Sequence, residues 1–168
     1  MDKLRVYHQY RDKIRTGDLL LWKSHSLLGV LIRAFSKQAT NHAGLAVKLY
    51  GQAGPRVFTI EALEKGVRPY FLSSRLEDFD GEVYWYPLCT EWDSFEVRRE
   101  IEERMWRHVG TKYDYPALFA NAIRKVSADD KLLFCSEAVF LELGFKGMAP
   151  TPGELPSLKI FKDPVRIL

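Results

Sequence analysis

The fold of this chain is decided by residues 42–62, which read HAGLAVKLYGQAGPRVFTIEA. Two runs of strand-forming residues, 42–50 and 56–62, flank a segment whose composition is that of a turn. In an antiparallel hairpin, the start of the first strand lies beside the end of the second. His42 and Glu61 are therefore predicted to be neighbours, so that the carboxylate could hold the imidazole ring.

The rest of the chain supplies further strands and helices around this hairpin. Short apolar or aromatic runs predict strands at 19–22, 67–72 and 82–88. Apolar residues recur every fourth position between 93 and 109, which predicts the clearest helix, and further helices are expected at 27–35 and 116–126. This pattern predicts an α+β fold, an antiparallel sheet or small barrel with packed helices.

Cys135 stands where a charged loop gives way to an apolar helix. The sequence predicts that it lies at or near the helix N-terminus, where free backbone N–H groups and the helix dipole favour a thiolate and could stabilise an oxyanion. Cys135 taken alone has a plainer interpretation, since most free cysteines are small, buried core residues. The other cysteine, Cys89, follows an apolar strand and is interpreted as a buried or incidental thiol.

Composition and charge limit the classes of protein to which this chain could belong. The 168 residues are most simply one domain, 1–168, and the formal net charge of +3 without a basic, aromatic-rich run gives no reason to expect nucleic acid. Two cysteines are too few for a disulfide framework. The N-terminal residues lack an apolar core of the signal-peptide kind, and the longest apolar run, 27–35, is too short to span a bilayer. A cytoplasmic protein without a transmembrane segment is expected.

Several short motifs together resemble a known family. They are Gly17-Asp18, Asn41-His42-Ala43-Gly44, Ile60-Glu61-Ala62, Gly110-Thr111-Lys112-Tyr113-Asp114, Phe134-Cys135-Ser136-Glu137 and Thr151-Pro152-Gly153-Glu154. In this order they resemble the circularly permuted papain-like cysteine hydrolases, and within them the YiiX-like branch of the NlpC-type superfamily. The resemblance covers about residues 16–156. It implies a permuted papain-like domain in which the histidine precedes the cysteine and the Cys-bearing helix packs on the sheet.

The resemblance also implies roles for named residues. Cys135 would be the nucleophile, His42 the base that takes its proton, and Glu61 the third polar residue that orients the ring. Tyr113 is the candidate substrate-lining hydroxyl. A second oxyanion donor is not evident. His42, Glu61 and Cys135 could in principle bind zinc, but no paired ligand spacing supports it, so neither a metal nor a cofactor is expected.

Two classes of function stay open on the sequence. The first is a thiol-dependent amidase or peptidase acting on a peptide-like amide such as a cell-wall peptide, with an acyltransferase or a lipid or ester thiol hydrolase as variants. The second is a non-catalytic binding module on the same fold. The expected partner is a peptide-like or acyl substrate, and neither its identity nor the oligomeric state follows from the sequence.

Overall fold

A computed structural model describes residues 2–25, 39–52, 54–63, 65–111 and 130–168, with side chains in the last range described from 135 onward. The described part contains a six-stranded antiparallel sheet of strand order β4-β3-β2-β1-β5-β6. The strands are β1 Leu19–Ser24, β2 His42–Gly51, β3 Gly54–Leu63, β4 Gly66–Phe71, β5 Gly81–Tyr86 and β6 Val165–Arg166. The predicted α+β class is confirmed, and the sheet is open rather than closed into a barrel.

Helices accompany this sheet. They are α1 Arg5–Tyr10, α2 Leu72–Asp78, α3 Phe95–His108 and α4 Asp130–Glu142, with short 3₁₀ helices at Thr90–Trp92 and Pro152–Leu158. The helix predicted at 93–109 is confirmed as α3, whereas the helices predicted at 27–35 and 116–126 lie outside the described residues. No helix in the described ranges is long and apolar enough to cross a membrane.

The β2–β3 hairpin has the predicted antiparallel arrangement. Leu45 pairs with Ile60, and the register continues to Gly51 opposite Gly54. One step beyond the Leu45–Ile60 pair, this register brings Gly44 beside Glu61. His42 is therefore two positions from direct opposition to Glu61, a gap that the length of the glutamate side chain bridges.

The two faces of the sheet bury different apolar clusters, because successive strand residues point to opposite sides. One cluster joins α3 and α4 to the sheet, and its members include Leu19, Leu21, Leu45, Val47, Ile101, Met105, Cys135 and Val139. The other joins α1 and α2 to the opposite face, and its members include Tyr7, Leu20, Trp22, Ala46, Leu72 and Leu76. The prediction that the Cys135 helix packs on the hairpin sheet is confirmed.

Asp18 secures the start of β1 from inside the protein. Its buried carboxylate accepts hydrogen bonds from Trp85 Nε1 at 2.8 Å, Arg98 Nη1 at 2.9 Å and the backbone N–H groups of Arg15 and Leu88. These donors compensate for the cost of burying a charge. The Gly17-Asp18 motif thus has a structural explanation, since it joins β1, β5 and α3.

Candidate active site

His42 and Glu61 form a buried pair at one end of the β2–β3 hairpin. The Nε2 of His42 donates a hydrogen bond to Oε2 of Glu61 over 2.7 Å. The Glu61 side chain is fully buried, while 16% of the His42 side chain is exposed. The predicted proximity of the two residues is confirmed, and the bond fixes the orientation of the imidazole ring.

Gly44 makes room for the Glu61 side chain on β2. A methyl group at position 44 would lie 2.9 Å from Glu61 Cγ, from the Ile60 carbonyl oxygen and from Thr59 Oγ1. Real Cβ atoms essentially never approach other heavy atoms so closely. A glycine two residues after His42 therefore lets the carboxylate cross β2 and reach the ring.

Arg75, on helix α2, is a third member of this cluster that the sequence reasoning missed. Its Nε donates to Oε1 of Glu61 at 3.2 Å and its Nη2 donates to Oε2 at 2.9 Å. The fork-like geometry is the strong, two-pronged form of an arginine–carboxylate pair. Sequence inspection could have found α2 from Leu72 and Leu76, which are spaced four apart and are both buried.

Cys135 is the second hydrogen-bond partner of His42, because the imidazole bonds the Cys135 side chain as well as the Glu61 carboxylate. The prediction that Cys135 lies at or near the helix N-terminus is wrong. Helix α4 begins at Asp130, so Cys135 is its sixth residue. The dipole effect fades beyond the first turn, and a backbone N–H in the second turn is used within the helix. The charged group that contacts the thiol is His42.

Electrostatics favour a charged His42 and a charged Glu61. Burial opposes an imidazolium, but the charge and hydrogen bonds of Cys135 and Glu61 outweigh it and raise the pKa of His42 from 6.5 to about 10. Burial likewise opposes a carboxylate, yet His42 and Arg75 lower the pKa of Glu61 from 4.5 to about 2. At neutral pH the imidazolium therefore lies between the Glu61 carboxylate and the Cys135 sulfur.

The remaining sequence candidates are placed differently. Tyr113 lies outside the described residues, so its role as a substrate-lining residue stays a prediction. Cys89 is half-buried, directly before the 3₁₀ helix Thr90–Trp92, whereas Cys135 is 1% exposed. The two thiols therefore differ in surroundings, and Cys89 serves as an internal reference for reactivity.

Comparisons with known proteins give a similarity of fold. No protein family and no curated protein matches the sequence significantly. Among solved structures, the metalloprotein yiiX from Escherichia coli O157:H7, DUF1105, is similar with a TM-score of 0.54 and 20% identity. The match covers 77% of this chain and 64% of that one. The chain thus has a YiiX-like α+β fold and spans less than two thirds of that neighbour's length.

The description of yiiX as a metalloprotein raises the question of whether the His42 cluster suits a metal ion. Both oxygens of Glu61 are occupied, by Arg75 and by His42, and Nε2 of His42 is engaged as well. Within the described ranges, no group of three or more histidine, cysteine or acidic side chains could hold a metal ion. These residues, hydrogen-bonded as they are here, do not form a metal-ligand set.

Proposed function

We propose that this protein is a thiol-dependent hydrolase of the permuted papain-like kind, cleaving a peptide-like amide through an acyl-enzyme on Cys135. The observation that carries the proposal is the hydrogen bonding of one imidazole to both a cysteine and a buried carboxylate. A thiol is a weak nucleophile until a neighbouring base or cation converts it to a thiolate. His42 supplies that neighbour, and Glu61 supplies the fixed orientation and counter-charge.

The ring nitrogens have separate tasks in this proposal. Nε2 of His42 is bonded to Glu61, so Nδ1 is the nitrogen that remains to exchange a proton with the sulfur and the leaving group. The thiolate of Cys135 attacks the carbonyl carbon, a C–S bond forms, and the carbonyl electron pair moves to oxygen. Collapse of this intermediate breaks the C–N bond, and His42 protonates the departing amine.

Hydrolysis completes the cycle with the same groups. His42, now neutral, takes a proton from water as the water oxygen attacks the thioester carbon. The C–S bond breaks, the carboxylic acid product leaves, and the thiolate–imidazolium pair is restored. Glu61 stabilises the imidazolium in both halves of the cycle without accepting its proton, consistent with the low pKa of its carboxyl.

Acyl-enzyme trapping tests the proposal without knowledge of the natural substrate. The protein is incubated with a small activated ester, quenched in acid, and the adduct is located by mass spectrometry. We expect acylation of Cys135, its loss in Cys135→Ser and in His42→Ala, and its retention in Cys89→Ser. Failure to acylate Cys135, or equal acylation of both cysteines with no dependence on His42, would overturn the hydrolase proposal and favour a binding module.

A further inference from the structure

Arg75 acts on the site through Glu61, because its guanidinium donates hydrogen bonds to both oxygens of the carboxylate that orients His42. Oε2 of Glu61 accepts from Arg75 and from His42 at the same time, over 2.9 and 2.7 Å. The three side chains therefore form one chain of charged hydrogen bonds. The position of Arg75 determines that of Glu61, and the position of Glu61 determines that of the His42 ring.

The guanidinium itself is held from two further directions. Its central carbon lies 5.1 Å from the ring centre of Trp22 and 5.5 Å from that of Tyr70, both within the range of cation–π attraction. Trp22 is the residue paired with His42 across β1 and β2. The Trp22 ring that packs on Arg75 and the His42 ring therefore belong to paired residues of neighbouring strands.

The contact between Arg75 and Glu61 matters because a buried carboxylate could otherwise bind a proton. Burial favours the protonated form of Glu61, and a protonated carboxyl would be a poor acceptor for an imidazolium. Among the described residues, Tyr70 and Asp78 also act on Arg75, and both favour its cation. A lysine would supply the charge as a point without the fork that fixes both oxygens.

We propose that Arg75 is a positioning residue of the site, which keeps Glu61 ionised and aimed at His42 and so maintains the imidazolium beside Cys135. The catalytic consequence rests on the proposed function. The effect of Arg75 on His42, in contrast, is a property of the folded protein and is measurable without turnover. Arg75 thereby links helix α2 to the chemistry at the opposite end of the cluster.

The primary test is an NMR titration of His42 in the wild type, Arg75→Ala, Arg75→Lys and Arg68→Ala. Arg68 is the matched control, because it pairs with Glu61 across β3 and β4 but is exposed and has no described bond to that carboxylate. We expect Arg75→Ala to release Glu61 from its position beside the ring and so to lower the His42 titration midpoint by about one unit, a tenfold loss of imidazolium relative to imidazole at fixed pH, because the loss of an aligned carboxylate outweighs the loss of the arginine's own repulsion of the imidazolium. Arg68→Ala should leave it unchanged.

Two further measurements separate positioning from a merely structural ion pair. Added guanidinium, at concentrations well below those that unfold the protein, should restore part of the midpoint in Arg75→Ala and have no effect on the wild type. Arg75→Lys should fall between the wild type and Arg75→Ala, and it provides the comparison if Arg75→Ala does not fold. A His42 midpoint that is the same in the wild type, Arg75→Lys and a folded Arg75→Ala would overturn the proposal.

Failure of the two proposals is distinguishable. If no acyl-enzyme forms on the wild type, the hydrolase proposal fails, while the His42 titration still decides whether Arg75 positions the cluster. If acylation is normal in Arg75→Lys and the His42 midpoint does not move, the Arg75 proposal alone fails.

Discussion

Replacing Gly44 by alanine should disrupt the site by a contact that can be read directly from the structure. The new methyl group would lie 2.9 Å from Glu61 Cγ, from the Ile60 carbonyl oxygen and from Thr59 Oγ1. Carbon atoms in contact normally stay about 3.5–4.0 Å apart, so these neighbours must move. Because one of them is backbone in the central hairpin and another carries the His42 acceptor, both stability and site geometry should suffer.

The expected loss follows from measured costs of overpacking. Adding a methyl group to a well-packed interior costs about 1–3 kcal/mol. For a chain of this size each kcal/mol lowers the melting temperature by about 2–4 °C, so Gly44→Ala should melt about 2–12 °C below the wild type. Displacement of Glu61 should also slow alkylation of Cys135 by iodoacetamide at mildly acidic pH, where the His42 imidazolium is needed.

Gly51 is the matched control for this substitution. It lies in the same strand, and a methyl group there would meet no described atom within 4 Å. Gly51→Ala should therefore keep the wild-type melting temperature and the wild-type Cys135 alkylation rate. Equal melting temperatures and equal alkylation rates for Gly44→Ala and Gly51→Ala would refute the argument that Gly44 makes room for the carboxylate.

Three further predictions concern the charged cluster. Glu61→Gln should remove the negative charge beside His42 and lower the His42 pKa in an NMR titration. It should also lower the free energy of unfolding in urea by about 1–3 kcal/mol, because Arg75 loses a buried partner. An unchanged His42 titration would contradict the orienting role of Glu61. Cys135→Ser should also lower the His42 pKa from about 10, since Cys135 raises it through charge and hydrogen bonding, and an unshifted value in the same titration would mean that the two side chains do not interact. The cluster should stabilise the fold most between about pH 4.5 and 6.5. The stability contributed by the raised His42 pKa is fully present below 6.5 and is lost as the pH rises towards 10. The stability contributed by the lowered Glu61 pKa is fully present above 4.5 and is lost as the pH falls towards 2. Urea unfolding across pH should show this window in the wild type and a flatter profile in Glu61→Gln, and identical profiles would contradict it.

The sequence was sufficient to predict the part of the site that depends on strand order. Two runs of strand-forming residues and the turn-like composition between them predict a hairpin, and a hairpin determines which residues are neighbours. The true register places Leu45 opposite Ile60, two positions from a register with His42 directly opposite Glu61, and the length of the Glu61 side chain bridges the difference. Local pattern therefore predicted the His42–Glu61 contact.

The features that the sequence did not predict depend on tertiary packing. Arg75 lies on α2, a helix of seven residues whose periodic signal is limited to Leu72 and Leu76, and that signal does not point to Arg75. Its role emerges only when α2 packs on β3 and β4. The position of Cys135 was misjudged for a related reason: residues 129–131 have a loop-like composition, yet the helix begins at Asp130. The first turn of a helix accommodates charged residues, so the composition of residues 129–131 does not show where the helix begins.

The central claim is that His42 maintains Cys135 as a reactive thiolate, and the pH dependence of Cys135 alkylation tests it most directly. A small electrophile such as iodoacetamide is used in the wild type and in His42→Ala, with Cys89 as the internal reference. Restricted access of the reagent to Cys135 scales the alkylation rate by the same factor at every pH, so the midpoints of the two profiles, rather than the absolute rates, are compared. The account predicts that wild-type Cys135 stays reactive well below neutral pH, while His42→Ala shifts its profile towards that of an ordinary thiol, with a midpoint of roughly 8.5. Superimposable profiles with an ordinary-thiol midpoint in both proteins would contradict it.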